Sequence, residues 1–212
     1  MSPPDAPVAG LLARVLALTQ TRPRVLLGVV GAPGAGKSTL TAALAEALES
    51  AGVRTAVVPM DGFHLANGEL ARLGRADRKG ALDTFDGAGY VALLRRLREE
   101  QGVVYAPAYV RGSLESSIGS AIPVAPEVRV VLTEGNYLLV DTEPWSAVRG
   151  LLDEVWFVDV AAEVRRRRLY ERHVANGKTP ELARTFTDGS DETNARLVAA
   201  TRGRADLVVP WQ

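Results

Sequence analysis

GAPGAGKS, residues 31–38, decides how the rest of this chain is read. It follows an apolar run at 25–30 and precedes a helix-like run at 39–48. Glycine, four residues, then glycine-lysine-serine is the phosphate-binding loop pattern, here in the strand–loop–helix setting that it requires. Glycines let the main chain wrap closely around an anion, because a side chain would block the approach or forbid the dihedrals. The loop N–H groups and the positive end of the following helix then face phosphate oxygens. Lys37 is expected to reach the β- and γ-phosphates, and the Ser38 hydroxyl to hold Mg. Gly31, Ala32, Gly34, Ala35, Gly36, Lys37, Ser38 and Thr39 are the expected nucleotide-binding residues.

Working outward, five short β-rich runs stand out, at 24–30, 54–59, 128–133, 154–160 and 206–209. Four are almost continuously apolar, which suits strands buried on both faces of a parallel sheet. Helical stripes lie between them. One runs over 39–50 with Leu40, Ala43, Leu44, Ala47 and Leu48; another runs over 90–101 with Val91, Leu94 and Leu97. Alternating strands and helices predict a three-layer α/β fold, with right-handed crossovers. Residues 61–126 are less regular and leave a strand end directly, where ligands of α/β sheets bind. They read as a substrate-covering insertion, and 112–126, rich in serine, glycine and proline, as a flexible loop.

The chain has 212 residues, which suits one domain with small insertions. Residues 23–212 are read as that domain, after a proline-rich disordered lead and a first helix at 1–22. The lead lacks a basic segment, and Arg14 and Thr19 break the apolar run behind it, so no signal peptide is read. No apolar stretch is long enough to span a bilayer. The 25 basic and 25 acidic side chains cancel. A neutral chain offers no global field for nucleic acid or an anionic membrane, and neither is expected as a partner. Cysteine is absent, which removes disulfides, thiolate nucleophiles and cysteine zinc sites. A cytoplasmic protein is the default.

Beyond the loop, three places carry chemistry. The second strand ends in Met60-Asp61-Gly62-Phe63-His64, where Asp61 either orients an acceptor hydroxyl and takes its proton or merely caps a turn. The apolar strand ending Thr133-Glu134-Gly135 presents an acid near the metal, directly or through water. Asp159 ends a competing strand, but Gly135 and the polar Asn136 favour Glu134. Arginines crowd residues 165–172, and at helical spacing Arg165, Arg168 and Arg172 share a face. They read either as a lid over a phosphate, at about 163–185, or as a solvated face paired with Glu163 and Glu171. His64 reads as a substrate hydrogen-bonder or a packed polar residue. His64 and His173 are the two histidines, and neither has a metal-ligand neighbour. Tyr105, Tyr109 and Arg111 either contact substrate or pack a loop.

These motifs together resemble the P-loop kinase family of uridine kinase, type I pantothenate kinase and phosphoribulokinase, in its bacterial nucleoside/nucleotide kinase-like branch. The markers are GAPGAGKST, MDGFHL at 60–65, RKGALDTFD at 78–86, YAPAY at 105–109, EGNYLL at 134–139 and RLYERH at 168–173. The resemblance implies a five-stranded parallel sheet with the loop strand central, ATP and Mg as cofactors, and a small-molecule hydroxyl acceptor. It implies Asp61 as the catalytic aspartate, Glu134 as the acid near the metal, Arg168 and Arg172 as lid arginines, and Tyr109 in the acceptor pocket. With these go Lys37 on the phosphates and His64, Lys79, Arg111 and Asn136 around the acceptor. A nucleoside is the favoured acceptor, with pantothenate, a sugar or glycerate as alternatives. Pantothenate kinases carry an acceptor-binding asparagine where this chain has Leu197, with Asn194 nearby. Members are often dimers or tetramers, so a homodimer is implied. The competing class is a nucleotide switch with a protein partner; no Asn-Lys-x-Asp guanine-reading motif is present.

Overall fold

The computed structural model describes residues 6–111 and 115–211. Five strands form one parallel sheet: β1 (Val25–Val30), β2 (Thr55–Val57), β5 (Val130–Gly135), β6 (Glu154–Asp159) and β7 (Leu207–Pro210). Their order is β2-β5-β1-β6-β7, so the strand that feeds the glycine-rich loop is central. Every residue of β1 and β5 is buried, which explains their unbroken apolar character.

Alternate residues of β1 enter two cores. Val25, Leu27 and Val29 pack with α1 (Ala6–Thr19) and α2 (Lys37–Ser50) on one face. Leu26 and Val30 pack on the other with α4 (Gly87–Glu99), which follows the short α3 (Asn67–Arg72). The same core takes in the hairpin of β3 (Val104–Val110) and β4 (Ser116–Val124), together with Tyr137 and Trp145. The result is the three-layer arrangement. A short helix, α5 (Val148–Leu151), leads into β6. Asp153 locks that junction: its buried carboxylate accepts from the Leu26 N–H at 2.7 Å and pairs with Arg22 and Arg98, each at 2.7 Å.

One expectation is overturned here. The stretch read as a flexible loop holds β4, which pairs antiparallel with β3 and makes a second, two-stranded sheet. Most of its residues are exposed and, among the described residues, it pairs with β3 alone, so serine and glycine are tolerated where a central strand would need apolar side chains. Residues 112–114 of that stretch lie outside the described residues. After β6 come α6 (Ala162–Ala175), α7 (Pro180–Asp188) and α8 (Ser190–Ala199), which turn back over the carboxyl end of the sheet. Among the described residues no helix is long and apolar enough to cross a membrane.

Candidate active site

The carboxyl ends of β1 and β5, the segment after β2, the hairpin and the three helices after β6 enclose a cleft of about 540 Å³. Its floor is the loop at 31–38. Gly34 and Gly36 take the left-handed conformation, with φ of 79° and 87°. A Cβ on Gly34 would lie 2.7 Å from the Arg165 carbonyl oxygen, and one on Gly36 would lie 2.9 Å from the Trp211 indole. Glycine is required at both places by sterics as well as dihedral. No side chain caps the start of α2, which leaves its first N–H groups for an anion.

Lys37, the first residue of α2, is buried. Its ammonium donates to the carbonyls of Gly31 at 2.9 Å and Ala32 at 3.3 Å, and to Asn136 Oδ1 at 2.7 Å. Burial pushes the ammonium below the ordinary lysine value, with Glu134 and then Asp61 opposing. Ser38 donates to Glu134 Oε1 at 2.8 Å. Glu134 is 8% exposed, and burial raises its carboxyl above the usual range, against the pull of Lys37. A buried carboxylate touching a hydroxyl beside an anion cradle is a donor set suited to Mg. Among the described residues no group of three or more acidic, histidine or cysteine side chains could hold a metal alone, so further ligands would come from phosphate and water. Asp159 faces elsewhere: it pairs with Arg202 at 3.0 Å and does not line the cleft. Thr39 is exposed on the first turn of α2, and Ala35 is buried beneath the loop.

Across from the loop stands Asp61, in a single 3-10 turn, Met60–Phe63, directly after β2. Its carboxylate accepts a hydrogen bond from Arg111, at the end of the β3 strand. Its carbonyl oxygen bonds to His64 Nδ1 at 2.8 Å. The His64 ring stacks near Tyr109, with centroids 4.5 Å apart, and burial lowers its pKa. Tyr109 donates to Glu115 Oε2 at 2.8 Å. Lys79 donates to Asn67 Oδ1 and to the Glu115 carbonyl, both at 2.6 Å. Asp61, His64, Lys79, Tyr109 and Arg111 thus line one wall; Tyr105 is exposed outside it.

The arginine run divides cleanly. Arg165 pairs with Glu192, Arg166 with Asp188 at 2.6 Å, and Arg167 with Glu171 at 3.9 Å. Arg168 and Arg172 have no ion-pair partner among the described residues. Arg172 lines the cleft, and Arg168 lies against Gly36, its guanidinium 3.6 Å from where a Cβ would stand. Arg172 is open to solvent at the cleft mouth, yet the surrounding protein depresses its guanidinium, and Arg111 adds to that. Arg165, on the same helical face, is buried beneath Gly34 instead.

Several lining residues were not picked out from sequence. Asn67, Lys178, Phe186 and Asp191 line the cleft, and His173 Nε2 bonds to Asp191 at 2.7 Å. Asn194 also lines it and donates to the Gly80 carbonyl at 3.2 Å, whereas Leu197 is exposed. The asparagine needed one helical turn of offset to be found.

The comparisons agree with this architecture. A family model described as "Methylmalonyl Co-A mutase-associated GTPase MeaB" matches residues 5–95, the part that holds the loop and the Asp61 turn. A candidate uridine kinase of Schizosaccharomyces pombe, C227.14, is 35% identical over 208 residues, covering 94% of this chain and 88% of that protein. The Aspergillus versicolor "ATP-dependent kinase-like protein notR'" is 39% identical over 132 residues, covering 58% of this chain and 76% of its own. The crystal structure of a candidate fructose transport system kinase from Silicibacter sp. TM1040 superposes with a TM-score of 0.88 at 39% identity, over 96% of this chain and 98% of that one. With a central loop strand, an acid at the end of the neighbouring β5 and relatives of this kind across nearly its whole length, the chain belongs to the P-loop kinase family of uridine kinase and phosphoribulokinase.

Proposed function

We propose that this protein is an ATP- and Mg-dependent kinase that transfers the γ-phosphate to a hydroxyl of a small metabolite. One observation carries the reading: Asp61, Lys37, Ser38 and Glu134 line a single cleft, which has a second wall beyond the anion cradle. A bare nucleotide switch has no use for that wall.

In this mechanism the loop N–H groups bind phosphate oxygens. Lys37 exchanges its bonds to the Gly31 and Ala32 carbonyls for phosphate oxygens, while Asn136 keeps its ammonium in place. Ser38 and Glu134 would hold Mg, which when bound would supply positive charge against the phosphates. Asp61 accepts the acceptor's O–H and aligns its oxygen with phosphorus; Arg111 gives up its bond to Asp61 as this happens. Phosphoryl transfer passes through a loose transition state, so alignment and charge matter more than proton removal. Arg168 and Arg172, without carboxylate partners, provide that charge from the lid side.

The reading covers a nucleoside, as the fission yeast relative's description suggests, and equally a sugar or a hydroxy acid. A coupled ADP-release screen over nucleosides, pantothenate, sugars and glycerate tests it. ADP formation that depends on one acceptor class is expected, with Asp61→Asn keeping ATP affinity and losing transfer. ADP formation indifferent to every metabolite, with a tight protein partner in pull-downs, would instead favour a switch. The match to a GTPase family model over residues 5–95 motivates that second reading.

A further inference from the structure

We propose that the acceptor carries an anionic group of its own, a phosphate or a carboxylate, read by Lys79 and Arg111 around the ring of Tyr109. The proposal rests on the kinase reading and narrows it, favouring a charged acceptor over the neutral nucleoside that the resemblance suggests.

Two cations share one aromatic ring beside Asp61. Lys79 Nζ lies 5.1 Å from the Tyr109 centroid and Arg111 Cζ lies 5.4 Å from it. The Lys79 hydrogen bonds go to two neutral oxygens, Asn67 Oδ1 and the Glu115 carbonyl. Burial lowers its ammonium pKa, the Glu115 carboxylate opposes this, and Arg111 lowers it further. Arg111 also depresses Arg172. Like charges held close in a partly desolvated cleft repel, and an anion between them relieves both the repulsion and the desolvation.

The position of Lys79 is built, not incidental. The carbonyl of the next residue, Gly80, accepts from the buried Tyr137 hydroxyl at 2.6 Å and from the buried Asn194 amide at 3.2 Å. The ammonium is therefore aimed before any ligand arrives, and a preorganised cation discriminates better than a mobile one. It sits on the insertion and is bonded to residues of the insertion, Asn67 and Glu115, whereas Lys37 is bonded to the loop carbonyls and Asn136.

The chemistry leaves the anionic group untouched. The acceptor O–H gives its proton to Asp61, the oxygen–phosphorus bond forms, and the β–γ bridging P–O bond breaks with its electron pair departing on ADP. Lys79 and Arg111 fix which hydroxyl meets phosphorus by holding the charge at a set distance from it.

The test is steady-state ADP release with two matched pairs: D-glycerate against glycerol, and D-ribose 5-phosphate against D-ribose, with uridine as a further neutral acceptor. We expect at least tenfold higher kcat/KM for a charged member than for its neutral counterpart, and the active pair tells carboxylate from phosphate. Lys79→Met should raise KM for that charged acceptor at least tenfold with the affinity for Mg·AMP-PNP unchanged, and Lys79→Arg should restore most of it. Uridine or a neutral sugar used as well as the charged acceptors, or a KM unmoved in Lys79→Met, overturns the proposal while the kinase reading stands. Steady ADP release that no metabolite of the wider screen of nucleosides, pantothenate, sugars and glycerate alters overturns the kinase reading itself. If none of the five is phosphorylated, binding of inorganic phosphate or acetate to the Mg·AMP-PNP complex decides: saturable binding lost in Lys79→Met supports the subsite, and its absence overturns it.

Discussion

Lys37 Nζ and Asn136 Oδ1 lie 2.7 Å apart, so the glycine-rich loop and the end of β5 are joined through the cation that the chemistry requires. The bond fixes the ammonium over the loop, and among the described residues no carboxylate pairs with it directly. Lys37→Ala should remove at least a thousandfold of kcat/KM, about 4 kcal/mol of transition-state stabilisation. Circular dichroism should show the fold retained. A variant within tenfold of the parent would contradict the role given to this lysine.

Glu134 gives a pH signature in Mg-free buffer. Its folded value is raised above the ordinary 4.5, chiefly by burial, so the native state holds this proton longer than the unfolded chain does. Its contribution to stability is therefore fully present below about pH 4.5 and is lost as pH rises through the folded value. Glu134→Gln abolishes that loss. At pH 7 the variant should melt a few degrees higher, at about 2–4 °C per kcal/mol for a domain of this size. Its Mg-dependent turnover should fall at least a hundredfold, roughly 3 kcal/mol. Equal melting temperatures at pH 4 and pH 7 relative to the parent would refute the burial argument.

Neighbouring arginines should behave differently. Arg172→Ala should lower kcat by about a hundredfold to a thousandfold, approaching the range of a phosphate-clamping arginine. Arg167, paired with Glu171 at 3.9 Å on an exposed surface, should be silent when replaced by Ala: activity unchanged and stability within about 0.5 kcal/mol. Equal losses in the two variants would point to a general helix effect instead.

Asp153 is a structural test far from the cleft. Asp153→Ala strands the Leu26 N–H and two arginines at the entry to β1 and β6. Urea unfolding should show a loss of roughly 3 kcal/mol with an unchanged slope. A loss under 1 kcal/mol would show that water replaces the carboxylate at no cost.

The strands of the parallel sheet were legible, most clearly β1, β5 and β6, where burial on both faces leaves a continuous apolar run. The hairpin was not. β4 has the sequence SSIGSAIPV, mostly exposed, and owes its strand to pairing with β3 and not to its composition. The glycine-rich loop was legible because its glycines, lysine and hydroxyl occupy one contiguous octet. The support of Lys79 was invisible for the opposite reason. Tyr137 and Asn194 reach Gly80 across 57 and 114 residues, and what they grip is a main-chain carbonyl, which no residue type announces. Which arginines stay unpaired was likewise undecidable from spacing, since Glu192 and Asp188 arrive from other helices.

The guanidinium of Arg111 that holds Asp61 has an implication for idle hydrolysis. The Asp61 oxygen that accepts from Arg111 is engaged until an incoming group displaces the guanidinium. A molecule that grips the pocket at several points is better placed than a lone water to part the two side chains. On the proposed kinase reading, the pairing would act as a latch against wasteful ATP turnover, one that the cargo itself must open.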